Sequence, residues 1–126
     1  MPTRRQEKVA RVIKEVVSDA IAHHLNDPRI TGFTSVTRVE VMADLRSADV
    51  YLSIFAATDI AKDLTFAAIT HARSRIQSFL AEAMESKFCP ILRFHEDEQF
   101  RKTLETMRLI DQVASERRDK EAEPRE

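Results

Sequence analysis

Between residues 34 and 55 the chain takes up a hydrophobic period of two and makes one tight reversal. No other feature limits its possible folds as much. Ala48, Val50, Leu52 and Ile54 alternate with Asp49, Tyr51, Ser53 and Phe55, the pattern of a strand with one face in a core. Residues 34–42 read as an earlier strand, with Val39 and Val41 two apart and Val36 out of step. Only Ala43-Asp44-Leu45-Arg46 lies between them, so the two strands form an antiparallel hairpin. A third strand-like run, Ile91-Leu92-Arg93-Phe94-His95, is reached through a helical region over 60–86. That region has a stripe of Leu64, Ala68, Ile69, Ala72, Ile76, Phe79, Leu80, Ala83 and Met84. A strand–helix–strand link within one sheet is a right-handed crossover, which sets the third strand parallel to the second.

Helices flank this unit. Val9, Val12, Ile13, Val16, Val17, Ala20, Ile21 and Leu25 trace one face of a helix over 4–25, and Asn26-Asp27-Pro28 stops it. After Asp97, read as an N-cap, Phe100, Leu104, Met107, Ile110 and Val113 predict a last amphipathic helix. The order helix, strand, strand, helix, strand, helix makes an α+β domain, a three-stranded sheet with helices on one face. Residues 1–113 form the single domain, and 114–126 a charged, disordered tail with no apolar stripe.

Groups suited to chemistry are few. Gly32 is the only glycine, which excludes the glycine-rich phosphate loops of nucleotide-binding folds. Cys89, the only cysteine, sits in F-C-P-I-L and reads as a buried thiol; it excludes an internal disulfide and fits a reducing compartment. His23 and His24 are adjacent on a helix and cannot chelate together. His95-Glu96-Asp97 ends a strand and opens a helix, and Asp44 and Asp49 flank the hairpin turn. The expectation is a protein that is no enzyme and takes no metal or cofactor. No apolar run reaches the ~18 residues of a membrane span, and the N-terminus lacks a secretory apolar core, so a cytoplasmic protein is expected.

The net charge of -1 hides an uneven distribution. Residues 1–46 sum to +2, 47–70 to -2, 71–95 to +2 and 96–126 to -3. One basic block is Arg4, Arg5, Lys8, Arg11 and Lys14; the other is Arg73, Arg75, Lys87 and Arg93. Such blocks are the footprint of a polyanion partner, although cations on a solvent face often serve only solubility. A further cation, Arg29, lies in D-P-R-I-T-G-F at 27–33, where it either braces the turn against Asp27 or is presented to a partner. Tyr51 and Phe55 share a strand face; packing beneath a helix is preferred over a base-stacking role.

Three motifs, in this order and spacing, resemble the bacterial ribosome-binding factor A family: D-P-R-I at 27–30, V-T-R-V-E-V at 36–41 with D-L-R-S-A-D-V-Y-L-S at 44–53, and F-C-P-I-L-R-F-H-E-D at 88–97. The resemblance covers roughly residues 4–111. It implies a type II KH-like domain, αββααβ, in which a kinked helix junction with an Ala-x-Gly pattern replaces the GxxG loop of ordinary KH domains. The junction falls at Ala72-Arg73-Ser74, with serine where the family has glycine. That serine can bond back to a carbonyl one turn earlier and favour a bend. Gln77 stands where an arginine is common.

The resemblance also implies binding to the 30S subunit and late maturation of 16S rRNA, with a role after cold shock. The chain is expected to act as a monomer, with a ribosome-assembly GTPase as release partner. The two basic blocks are expected to converge on one rRNA-facing surface. Arg4, Arg5, Lys8 and Arg11 would contact phosphates, Ala72, Arg73, Ser74 and Arg75 would form the junction contact, and Arg29 and Lys87 would be outer members. The rival readings are a general KH-like RNA chaperone and a protein-interaction module.

Overall fold

The computed structural model describes residues 2–84, 89–97 and 106–114. Helix α1, Arg4–Asp19, opens with a capping box. Gln6 N–H donates to the Thr3 hydroxyl at 3.2 Å, and Thr3 N–H donates to the Gln6 side-chain carbonyl at 2.8 Å. Two donors that a helix start leaves unpaired are thereby satisfied. The single helix expected over 4–25 is not uniform, because Ala20–His24 forms a π-helical turn. The added residue per turn rotates the side chains that follow it, and His24 lies against Phe79 with ring centroids 4.9 Å apart.

Strands β1 (Phe33–Val41) and β2 (Ser47–Phe55) form the expected antiparallel hairpin. Val36 pairs with Leu52 and Arg38 with Tyr51, so Thr37 has no partner and forms a bulge. That explains why Val36 is out of step with Val39 and Val41: the extra residue brings all three to the core face. The turn closes through Ser47 O accepting from Met42 N–H at 2.9 Å, with Leu45 at φ 61° and Asp44 accepting from Arg46 N–H at 3.0 Å. Helix α2 (Asp59–His71), capped by Thr58, and helix α3 (Arg73–Ala83) lead to β3 (Ile91–Glu96). Strand β3 runs parallel to β2, in the sheet order β1-β2-β3.

The core lies between one sheet face and the helices. Ile13 and Val17 of α1 and Ala20 of the π-helical turn meet Val36, Val41, Ala48, Val50, Leu52 and Leu92 of the sheet, Ile69 of α2, and Ile76 and Leu80 of α3. Each fully buried aliphatic side chain contributes about 1.5–3 kcal/mol. The opposite face corrects one expectation: Tyr51 and Phe55 point away from this core and no described helix covers them. Phe55 is 39% exposed, and Tyr51 stands between Arg38 (guanidinium carbon 4.0 Å from the ring centre) and His95 (5.1 Å between centroids). Residues 106–114 are helical, as the spacing of Met107, Ile110 and Val113 predicts, and those three side chains are exposed. Phe100, Leu104, Lys87 and most of the predicted tail lie outside the described residues.

Candidate nucleic-acid interface

The first basic block forms a row along α1. Arg4, Lys8 and Arg11 recur at four and three residues with Arg5 and Lys14 beside them, and all five are exposed. None of them forms an ion pair with another described residue. Gln6 anchors this end of the helix by donating from Nε2 to the Val41 carbonyl at 3.0 Å. Among the described residues the row is thus a set of exposed, unpaired charges on a fixed rod.

The second block surrounds the helix break. Ala72, at φ -83° and ψ 8°, is both the end of α2 and the start of α3. Its N–H donates to Ala68 O (3.0 Å) and Ile69 O (3.1 Å), and its carbonyl accepts from Ile76 N–H at 3.1 Å. Among the described residues no side chain caps α3, whose first turn carries the exposed Arg73, Ser74 and Arg75. The back-bond expected of Ser74 is not made among the described residues. Thr70 makes such a bond to Phe66 O (3.0 Å) before the break, and Ser78 makes one to Ser74 O (3.1 Å) after it. Arg75 lies over Phe79, 5.9 Å from its ring centre.

Gln77 ties this region to the sheet. Leu92 N–H donates to its side-chain carbonyl at 2.6 Å, and Nε2 donates to Pro90 O at 3.0 Å. Strand β3 is a sheet edge, and one glutamine amide pairs two of its outward main-chain groups. Nε2 also lies 3.5 Å from the Cys89 sulfur, and burial pushes the Cys89 thiol pKa up, away from the reactive thiolate. Gln77 is thus a structural clamp, where the resemblance would place an arginine.

Arg29 turns back onto Asp27. Nε donates to Asp27 Oδ1 at 3.0 Å, Nη2 donates to Oδ2 at 2.7 Å, and Arg29 N–H donates to Oδ1 at 2.9 Å. These bonds from Arg29 hold the Asp27 carboxyl at a pKa of about 2, with help from the charge of His71, and raise the pKa of Arg29. The bracing role open in the sequence is therefore formed, and it lies within electrostatic reach of His71, next to the junction.

The expected convergence of the two basic blocks is corrected. Arg75 reaches Phe79, and Phe79 contacts His24 at the C-terminal end of the first helix. Arg4, Arg5, Lys8 and Arg11 lie toward the other end, separated from His24 by about 20–30 Å of helical rise. The junction end instead gathers Arg29, His71, Arg73, Arg75 and His24. Arg93 pairs with Asp49 on the open sheet face (3.1 Å), away from both. Among the described residues no group of three potential metal ligands is present. Thr65, Gln77 and Phe79 shape the junction end; in the sequence Thr65 and Phe79 read as ordinary helix positions, and Gln77 stands out only as a departure from the family's arginine, not as a clamp.

Comparisons with known proteins agree with this architecture. The family model of ribosome-binding factor A matches residues 5–110. A ribosome-binding factor A of Chloroflexus aggregans is 37% identical over 93% of this chain and 91% of its own length. The solution NMR structure of a ribosome binding factor A candidate from Thermotoga maritima has 28% identity and a TM-score of 0.65, covering 77% of this chain and 91% of that one. Coordinates of a Thermus thermophilus ribosome binding factor A, fitted into a cryo-EM map of a 30S complex, share the fold at a TM-score of 0.56 and 22% identity, covering 75% and 93%. With a KH-like sheet, a helix break in place of a glycine clamp, and a match spanning nearly all of the folded region, the chain belongs to the ribosome-binding factor A family.

Proposed function

We propose that this chain binds immature small ribosomal subunits through phosphates of 16S rRNA and assists late maturation without catalysing a reaction. The observation that carries this reading is the row Arg4, Arg5, Lys8 and Arg11: exposed cations with no acidic partner among the described residues. Such charges bind a polyanion through counterion release and read little sequence. Arg73 and Arg75, with the main chain from Ala72 to Ser74, supply a second foothold toward the other end of the first helix. Two footholds at fixed spacing suit a factor that selects one arrangement of rRNA over another through differential binding. That the Thermus relative has been placed in a map of a 30S complex supports the partner. Arg29 is an outer member of this surface, and Lys87, outside the described residues, is included in the proposal for its charge alone. A monomer acting in the cytoplasm, with a ribosome-assembly GTPase releasing it, completes the reading.

The test is binding to immature 30S subunits across a salt series. Reversal of Arg4, Arg5, Lys8 and Arg11 to glutamate is expected to weaken binding at least about a hundredfold and flatten its salt dependence. Unchanged affinity would remove the row from the interface. A second reading, a protein-interaction module, draws on the exposed stripe Met107, Leu109, Ile110 and Val113. It requires that polar substitution of this stripe, rather than charge reversal on α1, abolish association with subunits.

A further inference from the structure

We infer that Thr65 is a positioning residue: from inside α2 it holds residues 29–31 so that Arg29 is presented, already oriented, to an RNA phosphate beside the α2–α3 junction. The inference rests on the rRNA-binding reading above.

A threonine within a helix usually bonds back to the carbonyl four residues earlier, and Thr65 does so with Ala61 O at 2.8 Å. Its side chain is fully buried, and it does more than close that bond. The hydroxyl oxygen accepts from Thr31 N–H at 3.3 Å, and it lies 3.1 Å from Arg29 O and 3.5 Å from Thr31 O. One hydroxyl proton serves one carbonyl at a time. Ala61 O is the nearest and Arg29 O the competitor, so the Thr31 N–H bond is the tie that persists. A single buried oxygen therefore ties α2 to Thr31, and to the Arg29 carbonyl when the hydroxyl proton turns that way.

The rest of the loop is pinned as closely. Ile30 N–H donates to Asp27 O at 3.0 Å, closing a tight turn. Gly32, at φ 72°, passes so near β2 that an added Cβ would lie 2.0 Å from Phe55 O. Asp27 engages Nε and Nη2 of Arg29, which leaves the Nη1 edge of the guanidinium and its N–H groups to face outward from a side chain 42% exposed. An arginine fork fixed in this way loses little rotamer entropy when an oxyanion arrives. The adjacent cation Arg73 belongs to the same end of the molecule as the second foothold.

The experiment is the salt dependence of binding to immature 30S subunits for the full chain and four variants, with melting measured in parallel. Arg29→Ala is expected to lower the slope of log affinity against log salt by about one. Thr65→Val removes the hydroxyl at nearly constant volume and is expected to lower the slope equally. Thr65→Ser is expected to restore it, and Thr65→Val with Arg29→Ala to show no further loss. A wild-type slope for Arg29→Ala overturns the inference, since the Asp27 fork is then only a brace. So does a wild-type slope for Thr65→Val alongside a lowered one for Arg29→Ala. If Thr65→Val does not fold at the assay temperature, Thr65→Ala, which also lacks the hydroxyl, is read in its place by the same criterion. The α1 charge reversal separates the two levels: if it abolishes binding while Arg29→Ala and Thr65→Val keep the wild-type slope, the rRNA reading stands and this inference fails.

Discussion

The two cationic regions are built in opposite ways. On α1 the charges of Arg4, Arg5, Lys8 and Arg11 are exposed and have no ion-pair partner among the described residues, and only the helix beneath them is fixed. At the junction end the cations have neighbours: Arg29 is forked onto Asp27, and Arg75 lies over Phe79. Free lysines and arginines gain affinity through charge alone, which salt screens. Held cations add geometry, and geometry is what lets a small protein favour one RNA arrangement over another. The difference assigns bulk attraction to the row and discrimination to the junction end, and each half of that assignment can be broken separately.

The largest effect is expected from Gly32→Ala. A β-carbon there meets the Phe55 carbonyl at 2.0 Å and must take φ 72°. The cost is about 2–4 kcal/mol of stability, read as a lower midpoint in urea. The damage should fall on the 27–31 loop while α1 keeps its attraction for subunits, so the variant, when folded, should retain a steep but reduced salt dependence. A loss below about 1 kcal/mol would mean that the loop is not held as the close contact implies.

Gln77→Ala comes next. It leaves Leu92 N–H and Pro90 O at a sheet edge without their partner, at a cost of about 1–3 kcal/mol. Gln77→Arg should not repair this, because a guanidinium cannot accept the Leu92 bond. Full stability in Gln77→Arg would show that the clamp is dispensable and that the junction is fixed from elsewhere. Arg75→Ala is smaller still in stability, about 0.5 kcal/mol or less for an exposed cation 5.9 Å from its ring. Its effect on the salt slope of subunit binding should nevertheless be about one. Loss of both or of neither would erase the distinction between held cations and structural ones.

How much of this was legible beforehand depended on whether a residue's role was local. The strand alternation from Ala48 to Ile54 and the four-residue turn gave the hairpin and its register face, because period and turn length are local signals. The misfit of Val36 pointed to the bulge at Thr37 without locating it. The break at Ala72 came through family resemblance, since helix 60–86 has no proline or glycine to mark it. Thr65 and Gln77 stayed hidden because their partners lie 34 and 15 residues away, at Thr31 and Leu92. The separation of the basic blocks was equally hidden: it depends on which end of α1 the start of α3 meets, and the His24–Phe79 contact decides that.

The smallest expected effect is also the one that isolates the held arginine from everything else. Asp27 has a folded pKa of about 2 against an ordinary value of 3.8. A depressed carboxyl contributes stability that is fully present above the unfolded value and is lost as pH falls through the folded one. The stability contributed by the Asp27–Arg29 fork should therefore be fully present at neutral pH and decline from about pH 4 down to about pH 2. Because the pair is solvent-screened, the amplitude is small, and the comparison with Asp27→Asn supplies the signal. Wild type should exceed Asp27→Asn in melting temperature at pH 6, and the two should approach one another as the pH reaches 2. A gap that stays constant over that range would place the benefit of Asp27 in shape rather than charge. Arg29 would then be held by a contact that protonation does not release, and the oriented fork at the junction end would lose its electrostatic basis.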